Sequence, residues 1–367
     1  MRNIGISRAC KALTLSTLLF SSFTCRSLTV DDPVEFQDRS NCTVTAYHFE
    51  NLCDFELSIL EAAQSDPLTD SSTEVGFDAY RDLARSRGND YATAVFFHRV
   101  NSEPRNARYI DRIRQISANL DPSHLPDYSS KNALLLMVPG MFYTLNAAVG
   151  GDGQEIRTAA QQLGARAALM LVEPDGTVDE NAADLCQWLS ASNERNIVLA
   201  SLSKGGSDIK RALQICGDTG AFDNVRAWLN IGGLNRGSYL INEMDDYWWT
   251  RWRAKFYFWK ENFNYDGILS IRSMPGEPLY QDLEIPDHIR VINLMATPLE
   301  AHITARARHG YSLLQGYGPN DGLTVLADSY MEGAINVSWF GNDHYFAVEE
   351  TRRQFLYAGL AEVLQSL

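Results

Sequence analysis

Arg195-Asn-Ile-Val-Leu-Ala-Ser-Leu-Ser203-Lys-Gly-Gly-Ser-Asp-Ile-Lys-Arg-Ala-Leu213 is the stretch whose reading decides the fold of this chain. Ile197 to Ala200 form an apolar run, long enough for a buried strand and too short for a helix. Asp208 to Ile215 have helical spacing, and Gly205 and Gly206 stand between the two. A strand that turns sharply into a helix holds the junction side chain strained and exposed at the edge of a sheet. Glycines there let backbones approach where a Cβ would collide. Ser203 sits at the junction and is the candidate nucleophile.

The same alternation runs outward on both sides. Buried strands are expected at 133–138, 165–172, 225–231, 289–295 and 334–340. Helices are expected at 153–163, at 179–189 with Asp179 available as cap, at 207–215 and at 345–364. Near-continuous apolar strands alternating with helices imply a mostly parallel sheet covered on both faces, an α/β domain over 131–367. Residues 27–130 read as an N-terminal extension, irregular to Asp70 and helical from Glu74 to Leu120. His98, a lone histidine in an apolar helical pattern there, reads as structural. An insert at about 234–281 carries Tyr247-Trp-Trp-Thr-Arg-Trp-Arg-Ala-Lys-Phe-Tyr-Phe-Trp259. It is expected as a helical cap, its aromatics either building an apolar pocket or packing on the core.

In such sheets ligands gather at the carboxyl ends of the strands. The first strand delivers Pro139-Gly-Met-Phe-Tyr143, the second Glu173, and the strand ending at Ile231 delivers Gly232-Gly-Leu-Asn with no carboxylate. Later come Gly318-Pro-Asn-Asp321-Gly-Leu-Thr324 and Gly341-Asn-Asp-His344. A serine hydroxyl needs a base to take its proton, and the base needs a group that fixes its tautomer. Ser203, Asp321 and His344 follow in that order: nucleophile, acid, histidine. On these residues the chain resembles the α/β-hydrolases. Asn320-Asp-Gly-Leu and Asp343-His are similar to segments of bacterial lipases and related esterases, and the resemblance covers roughly 131–367.

The resemblance implies cleavage of carboxylic esters through an acyl-enzyme. The oxyanion would be held by the backbone N–H groups of Met141 and Lys204, with the Lys204 ammonium in solvent. Phe142, Tyr143, Trp248 and Trp249 are the candidate substrate contacts. One position departs from the family pattern: Ser201 stands where these enzymes carry glycine, and it is small enough to meet the same steric need. Asp328 competes with Asp321 and reads as a surface residue or a helix cap, while Asp343 adjoins His344 and reads as loop structure. His288, His302 and His309 precede Asp321, fail the chain order and read as surface or structural residues. Thioesters, amides and polyesters are alternative substrates for the same triad. A hydrolase-derived ligand-binding protein without turnover is the alternative from another class.

Composition bounds the partners. The 367 residues are 45% hydrophobic and 21% charged, with a formal net charge of −14. No basic patch stands out to neutralise phosphates, which argues against nucleic acid, and the acidity offers no attraction to an anionic membrane. A small-molecule or lipid ester is the expected substrate. No Cys/His cluster has metal-ligand spacing, so neither metal nor cofactor is expected. Arg2, Arg8 and Lys11 precede the apolar run from Leu13 to Phe23, the pattern of a secretory signal over 1–26, too short to span a bilayer comfortably. Cleavage between Ser21 and Leu28 would export the protein to the periplasm or the medium. Ser22-Phe-Thr-Cys25 matches a lipoprotein box poorly, so a lipid anchor on Cys25, the one expected route to membrane contact, is the alternative to simple secretion. In an oxidising compartment Cys42 and Cys53 would close a short loop, and Cys186 and Cys216 would either bridge two helices or stay free thiols.

Overall fold

A computed structural model describes residues 54–72, 76–121, 123–145, 150–346 and 349–367. The expected signal segment, Cys25, Cys42 and Cys53 lie outside the described residues. Four helices come first: α1 (Asp54–Ala63), α2 (Phe77–Arg87), α3 (Asn89–Ser102) and α4 (Pro104–Asn119). They lead into β1 (Leu134–Val138), α5 (Gln154–Gln162), β2 (Arg166–Leu169) and α6 (Val178–Ala191). Next come β3 (Ile197–Leu202), α7 (Lys204–Cys216) and β4 (Val225–Ile231). The insert contributes α8 (Tyr239–Asp246), α9 (Trp248–Glu261) and α10 (Tyr265–Leu269) before β5 (Arg290–Thr297). Then follow α11 (Arg308–Leu314), α12 (Leu326–Ser329), β6 (Ile335–Phe340) and α13 (Glu349–Ser366).

The six strands pair in parallel in the order β2-β1-β3-β4-β5-β6. Side chains alternate between the two faces of a strand, and both faces here are apolar. Leu135, Met137, Val198, Ala200, Ile292 and Leu294 pack under α4, α5 and α13. Leu136, Val138, Ile197, Leu199 and Trp228 pack under α6 and α7. This is the doubly covered parallel sheet that the apolar runs imply.

Two local features depart from the sequence reading, and a third decides an alternative it left open. Residues expected to be irregular form α1: Phe55, Ile59, Leu60 and Ala63 pack inward at helical spacing, and Asp54 and Glu56 favour its positive N-terminal end. The cap of α6 is Thr177, not Asp179. The Thr177 hydroxyl accepts from the Glu180 N–H while the Glu180 carboxylate accepts from the Thr177 N–H, a reciprocal capping box. Asp179 instead pairs with Arg211 of α7. Cys186 of α6 and Cys216 of α7 are joined by a disulfide, which deprives the unfolded chain of loop-closure entropy worth about 4 kcal/mol.

The helices before β1 cover an edge of the sheet. β6 is terminal in the strand order, and an open edge is a template for unwanted pairing. The Asn101 amide of α3 donates to the Ser338 carbonyl and accepts from its N–H, at 3.0 and 3.1 Å. Asn106 of α4 accepts from the Asn336 N–H at 2.9 Å. His98 bonds the Leu60 carbonyl at 2.8 Å, a structural role. Among the described residues no helix is long and apolar enough to cross a membrane.

Candidate active site

Ser203 lies between β3 and α7 with φ 50° and ψ −119°, a left-handed conformation that is costly for a residue with a Cβ. The surroundings enforce it. Its N–H donates to the Ile231 carbonyl at 3.1 Å, and its own carbonyl accepts from Gly206 at 2.9 Å. A Cβ on Gly205 would run into the Val138 and Pro139 carbonyl oxygens, and one on Gly206 into the Asn230 side chain. The helix therefore starts hard against the end of β1, and the hydroxyl projects outward.

His344 reaches Ser203 from the loop after β6. Its Nε2 lies 3.0 Å from Ser203 Oγ and its Nδ1 lies 2.8 Å from Asp321 Oδ2. Asp321 Oδ1 accepts the N–H groups of Leu323 and Thr324 at 2.9 and 2.8 Å, so the carboxylate is held at both oxygens. The His344 N–H also bonds the Asp321 carbonyl at 2.9 Å. With Nδ1–H directed at the carboxylate, Nε2 is left to accept from the serine hydroxyl. Burial pulls the His344 pKa down, but the charge and hydrogen bond of Asp321, helped by Asp343, hold it above the ordinary histidine value. Gly232, at φ 57°, leaves room for the ring: a Cβ there would sit 3.7 Å from His344 Cε1 and 3.2 Å from Phe346.

The competing residues are engaged elsewhere. Asp343 accepts from the Thr304 N–H and hydroxyl and from the Tyr345 N–H, which is loop structure. Asp328 is neither on the surface nor a cap. It is buried within α12, where burial pushes its pKa up to about 6 against the pull of Arg236, Ser273 and Lys210. His302 is buried, with Nε2 2.6 Å from Glu56 of α1, and His288 bonds the Phe222 carbonyl.

The loop after β1 runs beside the serine: a Cβ on Gly140 would lie 3.7 Å from that of Ser203. The Gly140 N–H is committed to Gly151 and the Phe142 N–H to Pro174. Between them, the Met141 N–H has no acceptor among the described residues. The Lys204 N–H, first in α7, has no acceptor within its helix and lies at the positive end of the helix dipole.

The side chain of Lys204 corrects an expectation. It is buried, its Nζ 2.7 Å from Asp208 Oδ1, and Asn181 donates to the other Asp208 oxygen at 3.0 Å. α6 covers the first turn of α7, so the ammonium takes the carboxylate one turn on rather than solvent. Phe142 is buried and packs 4.9 Å from Phe263 of the insert, in a cluster that includes Phe258 and Leu234. Tyr143 is buried too, its hydroxyl on the Val172 carbonyl at 3.1 Å. Trp248 and Trp249, in α9, stand 80% and 39% exposed.

Ser201, the departure from the family pattern, has a physical reason. Strand register aligns Ser201 with Asn230, Asn230 with Asn293, and Asn293 with Asn336, a polar row across four strands. Ser201 Oγ accepts from Trp228 Nε1 at 2.8 Å and donates to Asn230 Oδ1 at 2.9 Å. Amide bonds from Asn230 to Asn293 and from Asn293 to Asn336 continue the row at 3.0 and 2.8 Å. All four residues are fully buried. Removing one member strands its neighbours, so Ser201→Ala is expected to lower stability by about 2 kcal/mol. An unchanged urea midpoint would contradict this.

A second buried contact ties α7 to the insert. Lys210 of α7 donates to the carbonyls of Asn235, Leu279 and Gln281, at 2.8, 2.8 and 2.6 Å, gripping both roots of the excursion. Burial, its largest influence, draws its pKa down to about 8, which still leaves it charged near neutrality. Lys210→Met is expected to cost about 3 kcal/mol, because two buried carbonyls and one part-buried carbonyl lose their donor. Faster proteolysis within the insert should accompany the loss, and equal cleavage rates would count against the clamp.

No protein-family model and no curated protein matches the sequence. Solved structures do. The chain is similar to a metagenomic carboxyl esterase with a TM-score of 0.53 and 21% identity, over 67% of this chain and 80% of that one. Bacillus licheniformis lipase in its mature form gives a TM-score of 0.44 at 20% identity, over 63% and 89%. A bromoperoxidase from Bacillus anthracis gives 0.38 at 15% identity, over 66% and 93%. What the chain shares with the first of these, at 21% identity, is the fold, that of the α/β-hydrolases.

Proposed function

We propose that the chain is an exported serine hydrolase that cleaves carboxylic esters. The observation carrying this reading is the continuous hydrogen-bond path from Ser203 Oγ through His344 to Asp321. Ser203 attacks the acyl carbon as His344 Nε2 takes its proton, and Asp321 stabilises the imidazolium. The N–H groups of Met141 and Lys204 receive the oxyanion. His344 returns its proton to the departing alcohol, and water, deprotonated the same way, releases the acid and frees the serine. The likeness to a protein described as a carboxyl esterase agrees with ester rather than amide cleavage. Export is supported by the leader-like N-terminus and by the Cys186–Cys216 bridge, which suits an oxidising compartment.

Turnover of nitrophenyl esters of increasing acyl length tests the reading. The expected result is hydrolysis with a pre-steady-state burst of nitrophenol, the mark of an acyl-enzyme. A folded protein that turns over none of them would overturn the enzyme assignment and leave the ligand-binding reading. Long chains turned over no better than acetate would argue against an apolar acyl pocket lined from Phe142 and the insert.

A further inference from the structure

The aromatic helix of the insert has a face that the proposed chemistry does not use. α9 meets the protein through Thr250, Ala254 and Phe258, which are buried. Trp248, Trp252, Phe256 and Trp259 are 80%, 64%, 50% and 76% exposed. At 3.6 residues per turn the three tryptophans fall within about 40° of arc, with Phe256 and Trp249 alongside. The stripe is continuous: the Trp252 and Phe256 rings stack 5.8 Å apart at 12°, and Phe256 lies 5.8 Å from Trp259. So large an apolar ridge in water marks an interaction site.

The charges around it identify the partner. Arg253 and Lys260 flank the stripe on one side. On the other lie Lys255, over the Tyr265 ring, and Arg251, which is paired with Asp245; all four are exposed. The one acid of the helix, Glu261, lies toward the buried side. This is a cationic helix on a chain whose formal net charge is −14. We propose that the outer face of α9 is a docking surface for an anionic lipid layer. Tryptophan and phenylalanine enter the boundary between headgroups and acyl chains, and lysine and arginine reach the phosphates beside them.

The geometry disfavours other occupants. A second copy docking symmetrically through the same helix would set cation against cation. A sugar or peptide ligand needs a platform or a groove, whereas this ridge is convex and fits a soft layer that closes around it. Repulsion of the acidic remainder from the same lipid orients the contact through α9 alone. Such contact needs no lipid on Cys25. Nor does it depend on the hydrolase reading, since its readout is binding.

The test is flotation of the full chain with vesicles of phosphatidylcholine and phosphatidylglycerol in equal parts, and with phosphatidylcholine alone. Binding is expected to the anionic vesicles, to weaken with salt, and to fall by about tenfold or more in Trp252→Ala/Phe256→Ala/Trp259→Ala. Arg253→Glu/Lys260→Glu should lower it as well. Trp252, Phe256 and Trp259 are mostly exposed and stack on one another, so the aromatic variant should keep the wild-type melting temperature. Quenching of wild-type tryptophan emission by brominated acyl chains reports insertion without any variant. No binding by the wild type, equal binding to neutral vesicles, undiminished binding by the aromatic variant, or absent quenching would each overturn the proposal.

Discussion

Ser203→Ala is expected to lower kcat/KM on esters by about 10⁶-fold while the protein stays folded. The loss is large because nucleophile and base act as a unit, so without the hydroxyl the imidazole has nothing to activate toward the substrate. What remains is the modest acceleration from the Met141 and Lys204 N–H groups and from binding. Folding should survive, since Ser203 Oγ bonds only His344 among the described residues, and His344 keeps Asp321 and its loop. The left-handed backbone persists with alanine, so the melting temperature should shift by no more than about 2 °C in either direction. A variant retaining more than a hundredth of the activity would place the nucleophile elsewhere.

The second large effect is at Asp321. Asp321→Asn should reduce kcat by about 10⁴-fold. Both Asp321 oxygens are in use, Oδ1 by two backbone N–H groups and Oδ2 by His344. The amide oxygen would keep the backbone pair and turn its NH₂ toward Nδ1, driving the proton onto Nε2, where it cannot accept from serine. The pH profile separates this from a merely structural loss. His344 works as a base only when neutral, so activity falls as pH drops through its pKa. Asp321 and Asp343 raise that pKa against burial, which sets the acid limb of the wild type above the ordinary histidine value of about 6.5. Without the Asp321 charge the limb should move to lower pH. A limb that stays in place would show that His344 is not the titrating base.

How much of this was legible follows from the range of each signal. Most strands were readable because they are buried on both faces and so are nearly pure apolar sequence, as at Leu134 to Val138. The edge strand β2, expected to be buried, instead has Arg166 exposed and its other residues half-buried. The order Ser203, Asp321, His344 was readable because each lies just past a strand or in a turn rich in glycine and asparagine. Ser201 was not: its need for a hydroxyl comes from Trp228 and Asn230, and only strand register brings them beside it. The burial of Lys204 depends on Asp208 and Asn181, the latter on a different helix. Trp248 and Trp249 belong to a helix aromatic on nearly every side, so no periodicity distinguishes the face that meets the protein through Phe258 from the one left in solvent. Whole-chain charge likewise hid a local cationic helix. α1 was obscured by the Asp, Ser and Thr around its short apolar face.

The most direct measurement of the central claim is labelling with a fluorophosphonate and mapping the adduct by mass spectrometry. The expected result is one label per chain, on Ser203, forming faster as pH rises through the His344 ionisation, and absent from Ser203→Ala. A folded protein that resists the probe, or a Ser203→Ala variant that labels as well as the wild type, would contradict it.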